Sequence, residues 1–293
     1  MDGFFIDLNV AEHINSGVMA FVQAYGDHFS AFTKWLLTNW LVPLEKGLLA
    51  LPPALVLAVV AALTWHASRR WGLAVFLTAS LYLIGCFGMW DKLMQTVALM
   101  SVATVLTVLL GMPLGIWMAS SQRLRQLLTP LLDVMQTLPT FVYLVPVLML
   151  FGLGKVPAIF ATVIYALPPL VRLTDLGIRQ VDAEVQEAAR SFGLTRWQLL
   201  YSVQLPLARP SIMAGLNQAV MMALAMVVIA SMIGARGLGE DVLAGINNMD
   251  MGRGLQGGLA IVILAVVIDR ITQAYGSGRR ERAALLKRKE VLA

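Results

Sequence analysis

"EVQEAARSFGLTRWQLLYSVQLPLARP", residues Glu184–Pro210, is a polar, charged segment that lies between two apolar runs. Asp182, just before it, is a residue type that caps helix starts, and the two glutamates that follow suit the first turns of a helix through its dipole. Gly193 is a typical helix stop because glycine adopts the left-handed backbone conformation without a steric penalty. These signals predict a short helix that ends at Gly193.

The second half of the segment carries its own helix signals. Thr195 precedes Gln198 by three residues, which is the spacing of a capping box. Pro206 is predicted to end this helix, and Pro210 fits the first turn of the apolar run that follows. The whole segment is therefore predicted to form two short helices hinged at Gly193.

Small and apolar side chains give this segment a surface suited to protein contact. Ala188, Ala189 and Gly193 would let another protein approach the backbone closely. The alternative is a solvated loop whose capping residues occur by chance. The two caps, the glycine hinge and the proline stop argue against this alternative. The side chains expected to supply apolar contact are Phe192, Trp197, Leu199 and Leu200.

The composition of the chain indicates a membrane protein. The sequence is 58% hydrophobic and 13% charged, whereas soluble domains are about 45–50% apolar and about 25% charged. A net charge of +5 would suggest nucleic acid in a soluble protein, but here the basic residues cluster between apolar runs. Lipid is therefore the expected solvent, and no nucleic-acid partner is expected.

The apolar runs predict about seven transmembrane helices, since each needs roughly 20 mostly apolar residues. All seven predicted spans are uncharged or nearly so. The predicted spans are Gly47–Leu63, Trp71–Met89, Leu93–Ala119, Leu138–Phe151, Val156–Val171, Ile212–Gly234 and Leu255–Ile268, the last running on to about Tyr275.

The fourth and fifth runs are short and rich in proline. Such spans are expected to lie among other helices, where the backbone groups that proline frees find partners. The alternative is that each proline marks the end of a span, and the sequence leaves both open. The prolines are Pro139, Pro146, Pro157, Pro168 and Pro169.

The distribution of Lys and Arg predicts the orientation. Fifteen of them fall in one set of loops and six in the other, and the richer set faces the cytoplasm in bacterial membrane proteins. The N-terminus is therefore expected outside and the C-terminus inside, which places residues 184–210 in the cytoplasm.

Four regions follow from this topology. Residues 1–46 form an extracytoplasmic tail with an amphipathic helix on the membrane surface, or alternatively an extra tilted span. Residues 47–89 form two peripheral transmembrane helices. Residues 90–275 form the core with the cytoplasmic loop 180–210, and residues 276–293 form a basic cytoplasmic tail.

The quoted segment resembles the EAA signature of ABC importer permeases, EAA-x3-G-x9-I-x-LP. Every signature position matches except Val203, which replaces isoleucine. In that family the loop docks into a groove on a cytoplasmic ATPase subunit, so the resemblance implies an ATPase-coupling site here. The residues concerned are Glu187, Ala188, Ala189, Gly193, Leu205 and Pro206.

The stretches "PLLDVMQTLPTFVYLVPVLML", "SIMAGLNQAVMMALAMVVIASMIGARGLGEDVL" and "DMGRGLQGGLAIVILAVVIDRITQ" are similar to the glycine betaine/proline-type permeases, which serve quaternary ammonium osmolytes. The similarity covers roughly residues 90–275. It implies an all-α membrane protein with the type I ABC importer permease fold, in a bacterial inner membrane. The implied partners are an ATPase dimer, an extracytoplasmic substrate-binding protein and a second copy of the chain.

The chain lacks the motifs of an enzyme. It contains no G-x4-GK[ST] sequence, so ATP and magnesium are expected on the partner ATPase, and no cofactor, metal or catalytic residue is expected here. Asp133, Asp175 and Asp269 fall near cytoplasmic span ends, and Arg172 is placed to pair with Asp175 across a helix turn. Without a carboxylate at mid-membrane, the energy for transport is expected from a partner.

Aromatic and methionine side chains are the candidates for a weak substrate path, because aromatic faces attract quaternary ammonium ions. Ordinary helix packing is the alternative for each. The candidates are Phe141, Tyr143, Tyr165, Met221, Met222 and Met226.

An outer loop, Gly234–Gly254, is predicted to bind the substrate-binding protein through Glu240, Asp241 and Asp250. The alternative is that this loop is simply solvated.

Two other functions stay open for the whole chain: an ATP-independent osmotic channel or carrier, and a scaffold subunit without a transport role. Transport by the chain alone would favour the first of these.

Overall fold

The computed structural model describes residues 9–276, and every regular element in that range is a helix. Two short π-helical turns, Leu37–Leu41 and Leu200–Gln204, interrupt the α-helices. The α-helices are α1 Val10–Leu36, α2 Val42–Ala50, α3 Pro53–Ser68, α4 Trp71–Cys86, α5 Trp90–Ser120, α6 Gln122–Thr137, α7 Thr140–Phe151, α8 Lys155–Arg179, α9 Ala183–Ser191, α10 Arg196–Leu199, α11 Leu205–Met232, α12 Gly239–Asn247 and α13 Met251–Gly276.

Four helical stretches within residues 9–276 are long and apolar enough to cross a membrane. They are α5, α8, α13 and the stretch from Arg196 to Met232 that contains α11. Two further pairs qualify if each bent pair forms one span: the N-terminal helix with α3, bent by 100°, and α6 with α7, bent by 101°. Helix α4 is apolar but shorter.

The first predicted span has the wrong bounds. The structure breaks Gly47–Leu63 at Leu51 and Pro52, where α2 ends and α3 begins. Leu51 is extended, with ψ 131°, the conformation that a residue before proline favours. On the N-terminal side the helix is much longer than the predicted amphipathic helix, since α1, the π-helical turn and α2 run without a break from Val10 to Ala50.

The fourth predicted span, Leu138–Phe151, matches α7 to within two residues, but α7 alone is too short to cross the membrane. Helix α7 has 12 residues, about 18 Å of helix, whereas the hydrocarbon core is about 30 Å thick. The preceding helix α6 was not predicted, and the chain bends between the two at Leu138 and Pro139. Pro139 thus marks a helix end, whereas Pro146 lies within α7.

Helix α8 runs well beyond the predicted Val156–Val171, from Lys155 to Arg179. Pro157 falls in its first turn, and Pro168 and Pro169 lie inside it and are buried. Burial among other helices is therefore the correct interpretation for these two prolines.

Glycines let α8 pack closely against α5 and α11. A Cβ atom on Gly115 would lie 2.6 Å from the Thr174 Cβ, and one on Gly177 would lie 2.6 Å from the Ser211 Cβ. Small residues at helix crossings allow the close van der Waals contact that holds membrane helices together. The bundle around α8 therefore depends on these glycines.

We expect Gly177→Ala to destabilise the bundle by about 1–3 kcal/mol, because the added methyl group overpacks the crossing of α8 and α11. Thermal unfolding of the purified protein in detergent measures the effect. Gly258→Ala is the matched control, since nothing lies within 4 Å of its Cβ position in α13. Equal melting temperatures for the two variants would contradict the close crossing.

Candidate ATPase-docking site

The first helix of the polar segment has the predicted start and stop. The Asp182 side chain accepts a hydrogen bond from the Glu184 N–H at 2.9 Å, which caps α9. At the other end Gly193 has φ +80°, and the Leu194 N–H donates to the Ala189 carbonyl at 3.4 Å. This wrapped end, typical of glycine-terminated helices, turns the chain sharply toward α10.

The second helix begins as predicted but does not end as predicted. Thr195 and Gln198 form the capping box at the start of α10. The helix then continues through the π-helical turn Leu200–Gln204 directly into α11, with Pro206 in its first turn. Pro206 therefore does not end the helix. The widened turn just before Pro206 gives room for its ring and for the backbone carbonyl that receives no N–H from it.

The segment carries an apolar patch that no described part of the chain covers. Phe192 is 88% exposed, Trp197 67% and Tyr201 64%. The rings of Trp197 and Tyr201 stack with centroids 6.2 Å apart. Sequence reasoning missed Tyr201, although its four-residue spacing from Trp197 places both on one helix face. We call these three side chains the aromatic patch.

The signature residues lie beside this patch. Glu187, Ala188 and Gly193 are exposed and Ala189 is half-buried, so the backbone of α9 is accessible. Leu205 is half-buried and Pro206 exposed. The role of these six positions in ATPase coupling stays a prediction.

Leu199 and Leu200 do not supply contact surface as expected. Leu199 is 4% exposed, and Leu200 packs against the buried cluster of Ile178, Ala208 and Ile212. These leucines anchor the segment to α8 and α11 because they occupy the inward face of the helix.

A side-chain bridge ties α9 to the membrane helices. The Gln186 Nε2 donates to the Val181 carbonyl at 2.8 Å, and the Gln204 Nε2 donates to the Gln186 Oε1 at 2.9 Å. Gln186 thereby joins α9 to the short link after α8 and to the π-helical turn before α11. Sequence reasoning missed this connection.

Charged side chains at the same end of α8 pair between helices. Arg172 pairs with Asp133 of α6, and Asp175 pairs with Arg125 at 3.3 Å. The predicted pairing of Arg172 with Asp175 is therefore wrong. Helix α6 packs against this end of α8 and supplies an oppositely charged partner to each of the two residues.

The candidate path residues do not share one surface. Tyr143 and Met226 are buried, and Tyr165 is half-buried with its ring centroid 6.5 Å from that of Tyr143. Phe141 and Met221 are exposed, and Met222 packs against a different core cluster. Only the Tyr143–Tyr165 pair is brought together as an aromatic site, and a role in substrate passage stays a prediction for all six.

The three acidic residues of the predicted outer loop differ in how deeply they are buried and in whether they are paired. Asp241 is 4% exposed and binds the Lys92 Nζ at 2.5 Å and the Arg253 Nε at 2.8 Å. Asp250 accepts from the Arg253 N–H at 3.1 Å. Asp241 therefore joins α12 to α5 and α13 and is not free to grip a partner, while Glu240 is half-buried.

Burial would raise the pKa of the Asp241 carboxyl, but its hydrogen bonds and ion pairs with Lys92 and Arg253 hold that pKa below its usual range. A lowered folded-state pKa means that the pairs stabilise the fold above the unfolded-state pKa of about 3.9. This stabilisation is lost as the pH falls through the folded-state pKa.

We expect Asp241→Asn to lower the free energy of unfolding at pH 7 by about 2 kcal/mol, because it removes the buried carboxylate that Lys92 and Arg253 share and leaves Lys92 only a longer ion pair of 3.9 Å with Glu240. Thermal unfolding in detergent at pH 7 and pH 3 measures this, and the gap between variant and wild type should shrink at pH 3. Glu240→Gln is the control and should change little. An equal loss in both variants would contradict the assignment.

The chain is similar to known membrane components of transport systems. Residues 111–281 match the family model described as binding-protein-dependent transport system inner membrane component. The chain is 52% identical over 238 residues to the glycine betaine/proline betaine transport system permease protein ProW of Escherichia coli, covering 81% of this chain and 67% of that protein. It is 43% identical over 273 residues to the glycine betaine transport system permease protein OpuAB of Bacillus subtilis, covering 93% and 96%.

Solved structures share the fold. The MetNI methionine ABC transporter in an inward-facing conformation gives a TM-score of 0.56 at 21% identity over 63% of this chain and 94% of that chain. An amino acid ABC transporter crystallised with histidines gives 0.53 at 22% identity over 71% and 97%. The resemblance to glycine betaine/proline-type permeases is confirmed, and the chain belongs to the family of inner membrane components of binding-protein-dependent transport systems.

Proposed function

We propose that this chain is the permease subunit of an ATP-driven importer of quaternary ammonium osmolytes. The aromatic patch beside the EAA signature carries the proposal, because an exposed cluster of aromatic side chains marks a protein contact. The partners would be an ATPase dimer at this patch, a substrate-binding protein on the opposite side and a second copy of the chain.

The connections of α9 support a mechanical role. A partner that moves α9 would displace α8 through the Gln186 bridge and α11 through the continuous helix from Arg196. Closure of the ATPase dimer would then rock the membrane helices between inward-open and outward-open states. The closely packed glycine crossings of α8 favour movement of the helices as one body.

The contacts sort into two ends of the bundle. One end holds the ion pair between Lys155 and Glu45 at 2.6 Å and the Asp241 cluster. The other holds the bond between His66 and Tyr275 at 3.3 Å and the Arg125–Asp175 pair. The excess of Lys and Arg in the loops of this second end supports its assignment to the cytoplasm.

The names of relatives support the substrate class. Permeases for glycine betaine, proline betaine and carnitine are similar to this chain. A quaternary ammonium group offers no hydrogen bond, so aromatic faces are the protein surfaces that attract it. The paired Tyr143 and Tyr165 rings supply such faces at one point of the bundle.

Uptake of radiolabelled glycine betaine into vesicles tests the proposal. Vesicles that contain this chain, its ATPase and its binding protein should accumulate the label only with internal ATP. Equal uptake by vesicles that contain this chain alone would contradict the proposal and favour a channel or carrier.

A further inference from the structure

A lipid-facing groove separates the two peripheral helices α3 and α4. Its volume is about 460 Å³, and its walls are almost wholly apolar. Leu57 of α3 and Tyr82 of α4 line one end, and Trp65 and Trp71 line the other. The transport mechanism proposed above makes no use of this groove.

The groove has the length and lining of a binding site for an acyl chain. The stretch of α4 from Trp71 to Tyr82 that lines it is about 17 Å long at 1.5 Å per residue. Alanines form much of the remaining lining, including Ala62 and Ala74, and their small side chains leave the space between the helices open. A cavity of this polarity does not retain water, so a hydrocarbon chain is the occupant that the surrounding bilayer supplies.

Positive charge lies at one end of the groove. Arg69 and Arg70 form the turn between α3 and α4, and both are exposed. Neither forms an ion pair with a carboxylate among the described residues. The Arg69 guanidinium lies 5.9 Å from the centroid of the Trp65 ring, which fixes one charge beside the groove entrance.

The two tryptophans set the depth of this entrance in the membrane. Their rings stack with centroids 4.8 Å apart. Tryptophan favours the level of the lipid headgroups, so Arg69 and Arg70, which lie between the two tryptophans in the chain, are at the height of the phosphates. An anion with an attached acyl chain fits both the apolar groove and the positive charge at its end. A protein helix would match only the apolar groove.

We propose that this groove binds an anionic phospholipid of the cytoplasmic leaflet. One acyl chain lies between α3 and α4, and the phosphate group binds Arg69 and Arg70. The leaflet rests on the orientation given under the proposed function, but the site itself does not depend on transport.

Native mass spectrometry of the full chain in detergent tests the site with phosphatidylglycerol and, in parallel, phosphatidylcholine. The wild type should bind phosphatidylglycerol more tightly. The double variant Arg69→Gln/Arg70→Gln should weaken this binding about 25-fold, since each basic residue near an anionic headgroup contributes about fivefold. Arg123→Gln, an exposed arginine at the same end of the bundle but outside the groove, should leave it unchanged.

A second variant tests the groove itself. Ala62→Phe places a ring in the acyl-chain space from an exposed position, and we expect at least tenfold weaker binding of phosphatidylglycerol. Equal binding of the two lipids, or unchanged binding by either groove variant, would overturn the proposal. Because the measurement uses neither ATPase nor osmolyte, its failure is distinguishable from failure of the proposed function. Labelling of Ser68→Cys, in a Cys86→Ser background, with a membrane-impermeant thiol reagent tests the leaflet separately.

Discussion

ATP-dependent uptake of glycine betaine should fall to about 1% of the wild-type rate in the variant Gly193→Asp. Gly193 ends α9 with φ +80°, and nothing lies within 4 Å of its Cβ position, so the new side chain would project from the surface into the docked partner. An unpaired charge buried at an interface costs about 3 kcal/mol, or more than 100-fold in affinity. Uptake in reconstituted vesicles with saturating binding protein measures the loss.

Gly193→Asn is the matched control for this prediction. Asparagine has the shape of aspartate without its charge, and both tolerate the left-handed backbone conformation better than other side chains. We expect it to retain a substantial part of the uptake, while both variants melt close to the wild-type temperature. Wild-type uptake by Gly193→Asp would contradict the docking assignment of this surface.

The variant Phe192→Ala should weaken binding of the ATPase by about 30-fold or more. Phe192 is 88% exposed in the isolated chain, and aromatic side chains at the centre of an interface commonly contribute 2 kcal/mol or more. Removing it should leave the stability of the chain within about 0.5 kcal/mol, because it packs against little of its own protein. Titration of the purified ATPase against the permease in nanodiscs measures the affinity.

Leu153→Ala is the control for Phe192→Ala. Leu153 is 80% exposed and belongs to the opposite end of the bundle, where the adjacent Gly154 N–H donates to the Ile233 carbonyl. We expect it to leave ATPase affinity unchanged. Equal effects of the two substitutions would show that the loss comes from exposed apolar area in general and not from the aromatic patch.

Local features of the docking site were predictable because they depend on neighbours in the chain. The Asp182 cap, the stop at Gly193 and the Thr195–Gln198 box all involve groups within five residues of each other. Their hydrogen bonds form in any context that allows a helix. The positions of most apolar helices followed likewise from hydropathy alone.

Three features of the helices were not predictable in this way. Helix α6 was not predicted, and α7 was predicted as a short span without the bent helix pair to which it belongs. The helix also continues through Pro206 after a π-helical turn that residue propensities do not indicate. Bends and widened turns of this kind depend on how the helices pack, because tertiary burial outweighs helix propensity.

By itself the sequence determined a helical membrane protein with a capped, glycine-hinged polar segment, since hydropathy acts along a single helix and capping acts within its first or last turn. Only the tertiary structure decided which side chains face a partner. It turned Leu199 inward and left Phe192 exposed, and it paired Arg172 with Asp133, 39 residues away. It also buried Asp241 against Lys92, 149 residues away, because contacts between helices depend on how the helices cross and not on their order in the chain.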